Sequence, residues 1–208
     1  MPPNQQPRHT AQGAGRGAGA LLQFKITLTG IRPPIWRRVL VPEGLSLSGL
    51  HDVIQEVMGW TDSHLHDFHW RGERFGLPDP EFDEERVVDE RTVTLKELGL
   101  SIKDRLEYVY DFGDGWEHVL TVEQVLEAGE HQTPVCLKGA RSCPPEDCGG
   151  IWGYANLLEI LKDPTHEEYE EWKTWLPENF DPEQCDLAEV NSALSVRQWT
   201  IAPPSRKG

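Results

Sequence analysis

The sequence predicts an α+β fold in which a largely antiparallel sheet carries one long helix packed on it, followed by a helical C-terminal third. Three patterns support this fold class. Short stretches typical of strands predominate up to residue 140. Among them, one longer stretch repeats its apolar residues at three- and four-residue steps, as a helix does. Beyond residue 150 the apolar residues have this helical spacing throughout, and segregated strands and helices of this kind indicate the α+β class.

Length and composition predict one folded domain between two tails. The chain has 208 residues, of which 38% are hydrophobic and eight are tryptophan, so it can bury a substantial core. Residues 1 to 20 are mainly Pro, Gln, Gly and Ala, and we expect a disordered tail there. We expect residues 21 to 195 to fold as a single α+β domain and residues 196 to 208 to form a flexible C-terminal tail.

Charge and hydropathy limit the classes of function. The net charge is −15 at pH 7, and such a chain repels phosphate backbones, which makes nucleic acid an unexpected partner. No run approaches the roughly 18 to 20 apolar residues of a membrane span, so no membrane partner is expected. The N-terminus lacks a hydrophobic signal core. We therefore expect a cytoplasmic protein whose four cysteines are reduced.

Two strands open the predicted domain. Apolar and polar residues alternate in residues 21 to 30, and residues 35 to 42 predict a second strand. The short connection between them favours an antiparallel pair. Arg32, Arg37 and Arg38 lie close together and could form a basic patch, although solvated strand arginines are the simpler interpretation.

Residues 46 to 60 predict the long helix. Ser46 or Ser48 can cap its start, and Gly59 can end it. His51 falls on a different face from the apolar residues. The apolar residues at helical spacing are Leu47, Leu50, Val53, Ile54, Val57 and Met58.

Shorter elements follow in the middle of the chain. Residues 64 to 76 resemble a strand and a turn. Residues 79 to 90 contain seven acids and one arginine, a charge run that usually forms a solvated loop. Thr94 and Glu97 form a capping-box pattern at the start of a short helix. Further strands are predicted at residues 105 to 112, 116 to 128 and 134 to 140.

Three helices are predicted in the C-terminal third. The first contains Tyr154 and ends near Asp163. A second capping-box pattern, formed by Thr165 and Glu168, predicts the start of the next helix. Asp186 is expected to begin the last one.

The densest motif, residues 108 to 118, predicts a β-hairpin. Gly113-Asp114-Gly115 supplies positive φ angles for a tight turn. A hairpin explains every residue type except Asp111 and His118, so a catalytic role for those two stays open. Strand periodicity predicts shared faces for Tyr108, Tyr110 and Phe112 on one strand, and for Trp116, His118, Leu120 and Val122 on the other.

A second dense segment, residues 139 to 154, predicts a rigid loop before a helix. Glu146 and Asp147 lie in its middle. They can stabilise the helix start and cap loop amides, or they can bind a metal or act in acid-base chemistry with a partner from elsewhere. Cys143 and Cys148 are separated by four residues and have no second pair, so zinc binding by cysteines alone is a weak prediction, and a disulfide is disfavoured in the cytosol.

A third segment contains three histidines, His64, His66 and His69. On a strand, His64 and His66 would share a face and could hold a divalent metal together with a carboxylate. The alternative is that they are polar strand residues at a sheet edge.

These motifs together resemble the plasmid pRiA4b Orf-three family, and the resemblance spans about residues 21 to 195. Members of that family also carry an insertion-element, resolvase-type name. The resemblance implies an α+β fold of its own type and an association with mobile elements, and through that name it suggests nucleic acid as a partner. The stretches that carry it are residues 30–38, 51–68, 110–118, 143–150 and 180–182.

Two functions are compatible with these residues. The first is a non-enzymatic module that binds a protein or a small molecule at one edge of the sheet. The second is a metal-dependent hydrolase or nuclease in which Asp111, Asp114, His118, Glu146 and Asp147 gather a divalent ion. We favour the binding module. Its candidate ligand-binding residues are Asp111, Asp114, Trp116, His118, Glu146, Asp147, Trp152 and Tyr154.

Overall fold

The strands form an eight-stranded, mostly antiparallel sheet. The computed structural model describes residues 19–79, 86–128 and 133–202. The strands are β1 (Ala20–Leu28), β2 (Trp36–Pro42), β3 (His66–Trp70), β4 (Glu73–Gly76), β5 (Val87–Asp89), β6 (Arg105–Tyr110), β7 (Trp116–Glu127) and β8 (Val135–Ala140). Their order in the sheet is β5-β4-β3-β6-β7-β1-β2-β8. All neighbours are antiparallel except β4 and β5, which are parallel. The mixed α+β class and the antiparallel β1–β2 pair are confirmed.

Helices connect and cover the strands. They are α1 (Leu47–Met58), α2 (Leu95–Leu98), α3 (Gly150–Ile160), α4 (Tyr169–Trp175) and α5 (Leu187–Val196), with a 3₁₀ turn at Glu90–Thr92. In α1 the Ser46 side chain accepts a hydrogen bond from the amide of Gly49, and Gly59 ends the helix in the left-handed region with φ of 81°. Both caps agree with the prediction. Within the described residues, no helix combines the length and the apolarity that crossing a membrane requires.

The core lies between α1 and one face of the sheet. Phe24 and Val39 pair across β1 and β2, and both are fully buried. From the helix, Leu50 and Ile54 are buried in the same cluster. Each such side chain contributes about 1.5–3 kcal/mol through burial. The apolar face predicted for α1 is therefore what holds the helix against the sheet.

Arg37 is buried, and the expectation of a solvated strand arginine is wrong for this residue. Its Nε donates to the carbonyl of Val57 at 2.8 Å, and its Nη2 lies 3.4 Å from Sγ of Cys143. Nη1 donates to the carbonyl of Ala140 at 3.2 Å. The guanidinium group thus joins the C-terminal turn of α1 to β8, and carbonyls at a helix C-terminus attract a cation. Arg38, its neighbour, pairs with Glu123 nearer the surface.

The acidic stretch is only partly a loop. Residues 80–85 lie outside the described residues, but Val87–Asp89 forms β5, and Glu90 is only 1% exposed. The prediction of a solvated loop is wrong for these residues. The reason is that Glu90 has a specific partner, since its carboxylate accepts a hydrogen bond from Nε2 of His66.

Besides Ser46, two of the three other predicted N-terminal caps are confirmed. The capping box of Thr94 and Glu97 is formed, and Asp186 accepts hydrogen bonds at the start of α5. The box predicted at Thr165 is wrong. The hydroxyl of Thr165 donates a hydrogen bond to Oδ1 of Asp163 at 2.6 Å, and α4 begins after Glu168 without a side-chain cap.

The two predicted tails are described to different extents. Residues 1–18 and 203–208 lie outside the described residues. After α5, however, Arg197 forms ion pairs with Asp52 and Glu56 of α1. Ile201 then forms a β-bridge with Leu45. The first part of the predicted C-terminal tail therefore contacts the start of α1 and its exposed side.

Candidate functional site

The predicted hairpin is present, but its turn is built differently. β6 ends at Tyr110, so Phe112 leaves the strand and is about half exposed, and it does not share the buried face of the tyrosines. Positive φ angles occur at Asp111 (57°) and Gly115 (67°), while Gly113 has none. Aspartate tolerates this conformation because its side chain bonds the local backbone. Here Oδ1 of Asp111 accepts a hydrogen bond from the amide of Gly113 at 2.9 Å.

The hairpin turn packs against the proline-rich loop. The amide of Gly149 donates to Oδ2 of Asp114 at 3.1 Å. At Gly150, with φ of 66°, a Cβ atom would lie 2.5 Å from the carbonyl oxygen of Asp114, so glycine is required there. The two dense segments of the sequence therefore meet at one end of the central strands β6 and β7. We call this end of the sheet the rim and define it as residues 61–65, 110–115 and 143–150.

His64 lies between two carboxylates of the rim. Its Nε2 is 3.2 Å from Oδ1 of Asp147 and 3.8 Å from Oδ2 of Asp111. This nitrogen is buried, and neither approach has the geometry of a hydrogen bond. One ligand atom from each of the three residues lies within 4.8 Å of the others. A nitrogen and two carboxylate oxygens that converge without bonding one another are an arrangement that a divalent cation can bridge.

Glu146 braces the rim and does not cap α3. Its Oε1 accepts a hydrogen bond from the hydroxyl of Tyr110, and its Oε2 accepts from the amide of Thr61 at 3.1 Å and the hydroxyl of Thr61 at 2.5 Å. Burial, followed by this contact with Glu146, holds the pKa of Tyr110 well above its usual range. The carboxylate therefore joins three segments of the rim.

Three of the predicted ligand-binding residues are buried behind the rim. Nε1 of Trp116, both ring nitrogens of His118 and the hydroxyl of Tyr154 have no hydrogen-bond partner among the described residues. Burial lowers the pKa of His118 to about 4, so its ring is neutral at pH 7. Trp152 is the opposite case, with 82% of its surface exposed.

His66 belongs to a second cluster, and the expectation that His64 and His66 share one face of a strand is wrong. His64 lies in the loop before β3 rather than in the strand. The ring of His66 stacks on that of His51, with centroids 3.5 Å apart and planes within 4°. Nε2 of His51 lies 2.9 Å from Oδ1 of Asp62, and Nε2 of His66 lies 3.0 Å from Oε2 of Glu90.

Sequence reasoning missed this second cluster because its four polar members come from four separate segments of the chain. His51 is one turn before Gln55 in α1, and both are buried. Burial, followed by the charge of His66, lowers the pKa of His51 to about 4. The polar pair of His51 and Gln55, one turn apart on a second face of α1, was the signal that could have revealed it.

The cysteines are free and mostly buried. Burial raises the pKa of Cys143 to about 11 and that of Cys148 to about 12. Cys136 is buried and Cys185 is partly exposed. Within the described residues, no group with metal-ligand spacing contains a cysteine.

A groove of about 790 Å³ lies beside the rim. Trp60 and the neighbouring Pro144 line it on the rim side, and α5 and residues 177–186 line the other side. The indole nitrogen of Trp60 donates to the carbonyl of Pro144 at 2.9 Å, which holds the wall of the groove in place.

These features define an α+β protein with a mainly antiparallel sheet and a polar rim at one end of its central strands. The chain belongs to the family described as plasmid pRiA4b ORF-3-like protein, whose model matches residues 20–189. The family expected from the sequence motifs is therefore confirmed.

Two relatives resemble the chain over most of its length. The chain is 38% identical over 176 residues to the uncharacterized protein y4hQ of Sinorhizobium fredii (strain NBRC 101917 / NGR234), a match that covers 84% of this chain and 91% of that protein. It also matches the crystal structure of MM3350, a protein of unknown function from Methanosarcina mazei Go1. That match has a TM-score of 0.75 and 37% identity and covers 83% of this chain and 98% of the other. Neither relative has an assigned activity, so function has to be argued from the rim.

Proposed function

We propose that the protein is a ligand-binding module and that its ligand site is the rim, where His64, Asp111 and Asp147 hold a divalent cation. The observation that carries this proposal is the buried Nε2 of His64, which faces two carboxylates without a hydrogen bond. An uncompensated buried polar atom costs about 1–3 kcal/mol. A bound cation removes this cost.

The donor set favours a hard or borderline ion. Two carboxylates and one imidazole suit Mn²⁺, and the carboxylates also suit Mg²⁺. Asp147 is 71% exposed at its side chain, whereas Asp111 is mostly buried. Coordination positions on the Asp147 side would therefore be open to solvent and to a ligand.

A cation at the rim also accounts for ligand binding by an acidic chain. With a net charge of −15, the protein repels anions unless a local positive charge offsets the field. A metal held at the rim supplies that charge. The ligand class this favours is a molecule with a carboxylate or phosphate group, presented by a protein or by a small molecule.

The hydrolase or nuclease alternative has weaker support. In the parts of the chain that the structure describes, no three of Asp111, Asp114, His118, Glu146 and Asp147 bring ligand atoms within 4.8 Å of one another. Glu146 is bonded to Tyr110 and Thr61, and the ring of His118 is buried. A general base beside the ion is therefore not evident, and the mobile-element role suggested by the family resemblance has no residue-level support.

The proposal is tested by titrating Mn²⁺ into chelator-treated protein by calorimetry. Wild-type protein is expected to bind one ion, and Asp147→Asn is expected to weaken binding at least about tenfold through the loss of a charged ligand. Glu167→Gln removes a charge from an exposed position outside the rim and serves as the control. Absence of binding by the wild type, or equal binding by Asp147→Asn, would contradict the proposal.

A further inference from the structure

We infer that the cluster of His51, Asp62, His66 and Glu90 is a second metal site, suited to a borderline transition ion such as Zn²⁺. This site shares no ligand with the rim, so it stands apart from the function proposed above. Its residues come from α1, the following loop, β3 and the 3₁₀ turn.

Three of the four donors have the spacing of a common coordination shell, and the fourth, Glu90, pairs with His66. One ligand atom from each of His51, Asp62 and His66 lies within 4.8 Å of the other two. Glu90 approaches Nε2 of His66 with both carboxylate oxygens, at 3.0 and 3.1 Å. Ligands bound to one zinc ion at about 2.0–2.2 Å lie about 3–3.5 Å from one another, so these distances suit one ion once an imidazole ring has rotated.

An outer layer of hydrogen bonds orients the donors. Nδ1 of His51 is 2.8 Å from the hydroxyl of Tyr108, which also accepts from Nε2 of Gln55 at 3.2 Å. Oε1 of Gln55 accepts from the amide of Asp62 at 2.9 Å. In metal sites the second nitrogen of a ligating histidine is held in this way, and the contact fixes the direction of the ligating nitrogen.

The charges also favour a cation. Glu90 is 1% exposed, and buried carboxylates require a compensating charge. Within residues 19–79, 86–128 and 133–202, Glu90 and Asp62 pair with no lysine or arginine, and their basic partners are the rings of His66 and His51, at 3.0 and 2.9 Å. Two imidazoles and two carboxylates form a nitrogen- and oxygen-donor set that zinc accepts, and this set contains more nitrogen than that of the rim.

The stacked rings give the site a structural signature. The rings of His51 and His66 are parallel within 4° at 3.5 Å, and an imidazole ligates through a lone pair in its own plane. One ion therefore cannot lie in both ring planes while the stack persists. Binding must rotate at least one ring, and Asp62, whose side chain is 55% exposed, lies on the open side of the cluster.

The test is a Zn²⁺ titration of the chelator-treated full chain, followed by calorimetry and by NMR of the histidine ring protons. We expect one zinc ion to bind at this cluster and the mutual ring-current shifts of His51 and His66 to disappear. Asp62→Asn, a substitution at an exposed position that keeps the shape of the side chain, is expected to weaken this binding at least about tenfold.

Asp147→Asn at the rim serves as the matched control and should change zinc affinity at the cluster by less than about twofold, because the two sites share no ligand. Three outcomes would overturn the inference: no zinc uptake by the wild type, uptake lost in Asp147→Asn but kept in Asp62→Asn, or a stack that persists in the zinc-loaded protein. Manganese binding at the rim is measured separately, so failure of one site does not imply failure of the other.

Discussion

The hydroxyl group of Tyr110 donates a hydrogen bond to the carboxylate of Glu146, two residues that are 36 positions apart in the chain. This bond joins the end of β6 to the proline-rich loop. Together with the bond from the amide of Gly149 to Asp114, it brings Asp147 beside His64. The geometry of the rim therefore depends on a contact that does not itself touch the proposed ion.

Tyr110→Phe tests this brace. Removing the hydroxyl leaves Glu146 with only the Thr61 bonds at a partly buried position, and we expect a loss of about 1–3 kcal/mol in the free energy of unfolding. Chemical denaturation measures the change. Tyr169→Phe, at a partly exposed tyrosine of α4, is the control and should cost less than about 0.5 kcal/mol. Equal losses in the two variants would show that the brace is unimportant.

Gly150→Ala tests the close approach of the two rim segments. The new Cβ would lie 2.5 Å from the backbone oxygen of Asp114 at a positive φ of 66°. We expect a loss of more than about 3 kcal/mol, because strain and steric overlap add. Gly59→Ala also has a positive φ but meets nothing within 4 Å, and it should cost about 1–2 kcal/mol. Thermal unfolding that ranks the two variants in the reverse order would refute the close approach.

Two adjacent arginines, Arg37 and Arg38, are predicted to contribute unequally to the free energy of unfolding. Arg37→Lys removes a buried guanidinium that bonds Val57, Ala140 and Cys143, and a lysine cannot reproduce this fork. We expect a loss of about 2–4 kcal/mol. Arg38→Lys affects a partly exposed ion pair with Glu123 and should cost less than about 1 kcal/mol. Urea unfolding of both variants at the same pH measures the two losses, and equal losses would contradict the prediction.

The buried ring of His118 predicts a pH dependence of stability. Its pKa is lowered by burial to about 4, below the value near 6.5 that it has in the unfolded chain. The unfolded state therefore takes up the proton first as pH falls. Stability present above pH 6.5 is lost progressively down to about pH 4, at roughly 1 kcal/mol for each pH unit.

His118→Phe isolates this contribution. The phenylalanine keeps a ring at the position but cannot be protonated, so the unfolding free energy of the variant should fall less steeply between pH 6.5 and pH 4.5 than that of the wild type. A slope unchanged by the substitution would mean that His118 does not account for the acid sensitivity.

Thiol reactivity is expected to follow burial. Burial raises the pKa of Cys143 and Cys136 to about 11 and that of Cys148 to about 12, and thiols react as thiolates. Cys185 is partly exposed. Native protein treated with iodoacetamide should therefore be modified first at Cys185, as mass spectrometry can show. Earlier modification of Cys148 would indicate that the proline-rich loop opens in solution.

The sequence allowed the sheet and α1 to be predicted because their patterns are local. Alternation in β1 and the helical spacing of α1 need only neighbouring residues, as do the caps at Ser46 and Gly59. The start of α4 was harder to predict, since Thr165 and Glu168 match a capping box, whereas the hydroxyl of Thr165 bonds Asp163 instead.

The residues of the candidate site were recognised, but their grouping was not. Asp111, Asp147 and His64 were each named from the sequence as part of separate motifs, and their convergence depends on long-range packing. Glu90 could not be predicted as buried, because a single partner, His66, outweighs the polar character of the surrounding stretch. Periodicity reports which face a residue occupies and does not report which polar side chains meet across the fold.

The most direct test of the central claim is an anomalous difference map from a crystal of the protein soaked in Mn²⁺. An ion held at the rim predicts a peak within about 2.5 Å of Nε2 of His64 and of carboxylate oxygens of Asp111 and Asp147. It also predicts that the peak disappears in crystals of Asp147→Asn. A map with no peak at the rim, or one in which His64 instead donates a hydrogen bond to Asp147 with no ion between them, would contradict it.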